Sequence, residues 1–144
     1  MTRLSEIEGR SVLASDEARL VGRVAGVVID PRKAVVVALR VHRAPSGDTL
    51  DWPDISGLGA DAVMVGSSAA IHEPTGRAAE IREGDHEFVG KRLLTHAGDE
   101  LGRVTDVAFD EKTGTVTDVY TSDGPVPGDA LLGCGSYAVV VQGR

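Results

Sequence analysis

Four histidines, one cysteine and a scatter of carboxylates are the side chains of this 144-residue protein with chemistry to offer, and their spacing limits what they can do. His42, His72, His86 and His96 stand singly, none with a second ligand at an interval that would put two donors on one face. His86-Glu87 opens like the helical zinc motif in which a second histidine follows four residues on, but Gly90 holds that position. Cys134 is the only cysteine, which excludes an intrachain disulfide or thiolate cluster and fits a small core residue. Gly57-Leu-Gly59-Ala-Asp-Ala62 and Gly133-Cys-Gly135-Ser-Tyr-Ala138 have the glycine spacing of a dinucleotide loop. Each runs into a valine strand, however, and not into a helix whose N-terminus would face a pyrophosphate. Asp30 and Asp110 precede turns, where a carboxylate caps backbone N–H groups. The expectation is therefore a non-enzymatic protein with no catalytic group, no cofactor and no metal site.

Two other features predict binding. Arg32, Lys33, Arg40 and Arg43 surround one hairpin and form a candidate basic patch. Trp52, the only tryptophan, is expected either as a lid on the end of the first structural unit or as an exposed anchor for a partner. The net charge of −7 is unevenly shared: nine basic against ten acidic residues over 1–77, six against twelve over 78–144. An acidic second half repels a phosphate backbone. A protein partner is thus expected first, with an RNA or ribosome-associated role for the basic hairpin as the alternative.

The elements that must position these residues come twice. Gly9 is echoed by Gly90, Gly22-Arg23-Val24 by Gly102-Arg103-Val104, and the strand closing on Asp30 by that closing on Asp110. Leu58-Gly59 with Val63-Met64-Val65 answers Cys134-Gly135 with Val139-Val140-Val141. Internal repetition of this length identifies the building block. Each unit reads as a short strand, a charged tight turn and a long strand. The uneven spacing of Val104, Val107 and Phe109 predicts a bulge in the second long strand. A hairpin, a valine-rich return strand, a turn-rich tail and a last strand follow in each unit. In the first hairpin Ala34 stands where the second has Gly114, which predicts a turn of different shape. Val35 to Leu39 is apolar on both faces and so is expected to be covered on both, by the other unit or by a second chain in a homodimer. The units span 1–72 and 85–144, joined by a polar linker, 73–84, with one helical turn across Arg77 to Ile81. No other segment has a long 3.6-residue apolar period, so the fold class is all-β. The N-terminus lacks a signal-peptide apolar run, and Ala34 to Leu39 is too short to span a bilayer, so a cytoplasmic location without membrane insertion is expected.

The succession of Gly, Leu-Gly-Arg-Val, Val, a turn Asp, a valine-rich return strand and a final glycine-to-valine element resembles the PRC-barrel domain, once over Leu4 to Ile71 and again over Asp85 to Gln142. That family includes the photosynthetic reaction-centre H subunit and the C-terminal part of the ribosome-maturation protein RimM. The resemblance implies two tandem small β-barrels related by internal duplication. It also implies a docking module with no shared catalytic residues, some relatives acting as adaptors in RNA metabolism or cell-division assemblies.

Overall fold

The computed structural model describes residues 1–42, 44–83 and 87–143. The echoed Gly, Arg and Val positions have a common local cause. Gly9 and Gly90 both hold a left-handed backbone, with φ of 83° and 94°. Each donates its N–H to a valine carbonyl, Val24 or Val104, at 2.8 Å. Those valines donate back to Arg10 O and Lys91 O at 2.9 and 2.8 Å. The arginine of each triplet then reaches the glycine's own carbonyl, Arg23 Nη1 to Gly9 O at 3.4 Å and Arg103 Nη1 to Gly90 O at 2.9 Å. Together these residues clasp the opening of each half to its long strand.

The first sheet is built from β2 (Ser11–Ala14), β3 (Arg19–Asp30), β4 (Val35–His42), β5 (Thr49–Asp51), β6 (Ile55–Leu58), β7 (Ala62–Val65) and β8 (Ile71–His72). Its order is β6-β7-β2-β3-β4-β5-β8, antiparallel except where β2 runs parallel to β7. The second sheet contains β9 (Arg92–Thr95), β10 (Glu100–Phe109), β11 (Val116–Thr121), β12 (Gly124–Pro127), β13 (Leu131–Cys134) and β14 (Ala138–Val141). Its order is β12-β11-β10-β9-β14-β13, with β9 parallel to β14. A seventh strand in it comes from the other end of the chain, since β1 (Thr2–Arg3) pairs with β10. The protein is all-β, its two sheets are consistent with a β-barrel fold, and the described helices are α1 (Leu4–Ile7), α2 (Gly76–Glu83) and short 3₁₀ turns. Among the described residues no helix is long and apolar enough to cross a membrane.

The bulge expected in β10 is present, and β3 has its counterpart. Register shifts fall between Val104 and Asp106 and between Ala108 and Phe109, and likewise between Val24 and Gly26 and between Val28 and Ile29. Both turn aspartates act as caps: Arg32 N–H donates to Asp30 at 3.0 Å, and Lys112 and Thr113 N–H donate to Asp110 at 2.8 and 3.2 Å. The turn expected to change shape keeps its left-handed residue. Ala34 takes φ 51° where Gly114 takes 77°, accepting the strain that a side chain brings there. The reason lies across the seam. Val36 N–H donates to Gly114 O and Val116 N–H to Ala34 O, both at 2.8 Å, so the two hairpin ends hold each other reciprocally.

One core runs through both halves, with Val12, Val24, Leu39 and Val65 joined to Leu93, Val107, Phe109 and Val139 in a continuous apolar cluster. Each such buried aliphatic or aromatic side chain contributes roughly 1.5–3 kcal/mol, against about 0–1 for an exposed ion pair, so apolar packing dominates the association of the halves. The two-faced strand β4 is covered on both sides by this same chain. Val36, Leu39 and Val41 face the shared core, while Val28 and Ala38 lie under Ala78 and Ile81 of α2. The linker's helical turn is thus a two-turn helix that covers the sheet, pinned by Arg77 to buried Asp30 at 3.0 Å and by Arg82 to Asp48 at 2.6 Å.

Candidate functional site

Trp52 lies at the seam. It opens a 3₁₀ turn, Trp52–Asp54, whose register Pro53 sets, and its ring meets Phe109 of the second half edge-on, with centroids 5.7 Å apart. Half-buried against the shared core, it closes the junction between the halves. Gly114 lies beneath it, where a Cβ would come within 3.2 Å of the indole and 2.9 Å of Val36 O. The second half has its own 3₁₀ turn, Gly128–Ala130, with a glycine first because backbone atoms of Val116 occupy the space a side chain would need.

Among the described residues, the basic side chains of the expected patch do not converge. Arg32 and Lys33 are exposed at the tip of the first hairpin, whereas Arg40 lies towards the far end of β4. There its guanidinium rests over Gly26 and pairs with Glu87 at 2.9 Å. Arg43 lies outside the described residues. Of the three that the structure describes, Arg32 and Lys33 share one hairpin tip and Arg40 does not.

Each sheet has an open groove. In the first half Arg19, Leu20, Val21, Arg23, Ala44, Pro45 and Ile71 line a hollow of about 460 Å³. Leu20 is 51% exposed there, and Gly22 lets Val41 and the His42 carbonyl close over the strand without meeting a side chain. In the second half Leu101, Val126, Ala130, Pro125, Pro127 and Asp99 line one of about 590 Å³. Among the described lining residues, the first groove presents arginines and the second a carboxylate.

A second polar cluster was illegible in the sequence. The pairing of β5 with β8 brings His72 beside Asp51, with Nε2 2.9 Å from Oδ2, and the 3₁₀ turn adds Asp54. The His72 pKa is raised, first by the bond from Nδ1 to the Glu73 carbonyl and then, against burial, by Asp51. Elsewhere, Arg77 holds the Asp30 carboxyl below the usual carboxylate range, and Arg82 does the same for Asp48. Cys134 is buried at the margin of the core, as expected of a packing residue.

A two-sheet, all-β architecture with bulged long strands and an apolar seam is consistent with the class of small β-barrels. Within it, a PRC-barrel domain is found at residues 80–143, from the middle of α2 to the end of the last strand, and the family model matches once. No curated protein matches the chain.

Proposed function

We propose that the chain is a non-enzymatic adaptor of the cytoplasm, made of two PRC-barrel-like copies, which holds a segment of a protein partner in the first-half groove. The duplication is supported by the matched clasps at Gly9 and Gly90, the matched bulges and the parallel closing pairs β2–β7 and β9–β14. The observation that carries the binding role is the groove itself: an apolar floor, a half-exposed Leu20, and Arg19 and Arg23 at the rim with no carboxylate among the described lining residues, Arg19 also lying 3.5 Å from the exposed Glu17. A concave apolar surface with one sign of charge suits an apolar peptide segment flanked by acidic residues. Acid–base chemistry needs an opposed titratable pair, and the two arginines lining this groove do not make one.

Selection of a displayed peptide library on the full chain tests the reading. Apolar-acidic sequences should enrich, and Leu20→Asp or the pair Arg19→Glu, Arg23→Glu should reduce their affinity by about tenfold or more. Failure to enrich any such class would end it. Salt-steep binding to RNA, lost in the Arg32→Glu, Lys33→Glu variant, would replace it with the nucleic-acid role.

A further inference from the structure

Asp51, Asp54 and His72 come from the end of β5, the close of the Trp52 turn and β8, yet one ligand-capable atom of each lies within 4.8 Å of the other two. Sheet pairing fixes two of them, with Thr49 opposite His72 and Leu50 opposite Ile71. Pro53 stiffens the turn that carries the third. The imidazole is oriented from behind: Nδ1 is 2.5 Å from the backbone carbonyl of Glu73, which only accepts, so Nδ1 is the donor and Nε2 points forward. Nε2 in turn faces Asp51 Oδ2, another pure acceptor, at 2.9 Å. In the free site a proton on Nε2 fills this 2.9 Å contact as an imidazolium–carboxylate pair, and a cation held by both atoms would displace that proton. A histidine whose rear nitrogen donates to a backbone carbonyl is also how proteins aim a metal-ligating imidazole.

We propose that Asp51, Asp54 and His72 form a binding site for a divalent transition-metal ion of the kind that takes one imidazole and two carboxylates, Zn²⁺ being the best fit. Bonds of about 2.0–2.2 Å to such an ion put neighbouring ligands roughly 3–3.5 Å apart. The Asp51–His72 spacing of 2.9 Å is already near that edge length, and the exposed Asp54 side chain needs only to swing inward. Three protein ligands leave a further coordination position open to water or to a carboxylate or imidazole from a partner. The site is separate from the first-half groove and does not depend on the adaptor role. Two of its ligands, Asp51 and Asp54, flank Trp52 in the chain, so the ion would also brace the turn that seals the two halves.

The test is titration of the full chain with Zn²⁺, read by calorimetry and by the emission of Trp52, with Co²⁺ substituted to read coordination from its visible spectrum. One ion per chain at micromolar or tighter affinity is expected, together with a change in Trp52 emission. Affinity should fall by about 10–100-fold in Asp54→Asn and in His72→Gln, and stay unchanged in His96→Gln, which alters an exposed histidine outside the cluster. Asp54 is exposed on a turn, so its variant reports on the site even if the His72 change disturbs β8. Absence of saturable binding up to ~1 mM, or wild-type affinity in Asp54→Asn, would overturn the proposal and leave the His72–Asp51 contact as an ion pair only.

Discussion

The hairpins β3–β4 and β10–β11 share a backbone plan and differ in what lies on them. Both have a capping aspartate, a left-handed turn residue and two register shifts at corresponding places. On the first, α2 lies across Val28 and Ala38, and Arg77 buries the Asp30 carboxylate. On the second, the N-terminal segment takes that part: β1 adds to β10, Ser5 bonds Asp106 through N–H and hydroxyl, and the Arg3 guanidinium stacks 3.9 Å above Tyr120. One position shows the divergence. Gly26 lies flat beneath Arg40, while its counterpart Asp106 is buried and accepts from Ser5 of α1. Backbone demands keep the turns alike, and side-chain choices decide which neighbour covers each.

The largest effect that would break this comparison is expected at the residue before each cap. Phe109→Ala removes a fully buried ring that Trp52 packs against and should cost about 3–5 kcal/mol, more than Ile29→Ala at the matching site, as measured by chemical denaturation. Equal losses would mean that the seam adds nothing to the burial. Next come the turn residues, with opposite signs. Gly114→Ala places a Cβ against Val36 O and Trp52 in a left-handed conformation and should destabilise by roughly 1–3 kcal/mol, whereas Ala34→Gly relieves strain and should gain up to about 1 kcal/mol. A loss on Ala34→Gly would show that the first turn is relaxed. The subtlest effect is on acid titration. Asp30 and Asp48 have depressed folded pKa values, so their contribution is present above the ordinary carboxylate pKa of about 3.9 and is lost as pH falls below it towards the folded values. Hydrogen exchange across residues 76–83 should accelerate in that window, and Arg77→Gln should flatten the dependence.

What the sequence made legible was local. Turn aspartates, left-handed glycines and the bulge depend on residues within a few positions of one another, so their types disclose them. The two-sided apolar character of Val35 to Leu39 announced that something would cover the outer face without disclosing what. The cover is a helix whose apolar contacts there are Ala78 and Ile81, too few to create a visible period. The α1 segment, Leu4–Ile7, has the same difficulty, since four residues hold barely one turn and its burial comes from the opposite end of the chain. Proximity in sequence groups Arg40 with the hairpin patch, but Glu87, forty-seven positions on, claims it. The Asp51, Asp54 and His72 cluster was hidden for a related reason, because only the β5–β8 pairing closes that gap in the chain.

The strand β1 has a temporal consequence. Its partners, Ala108 and Phe109, are synthesised more than a hundred residues after Thr2 and Arg3, and translation at about 5–20 residues per second separates them by about 5 to 20 seconds. The β1 segment is therefore made long before its native neighbours. It waits with Leu4 and Ile7 uncovered until the ribosome has delivered the sheet that shelters them.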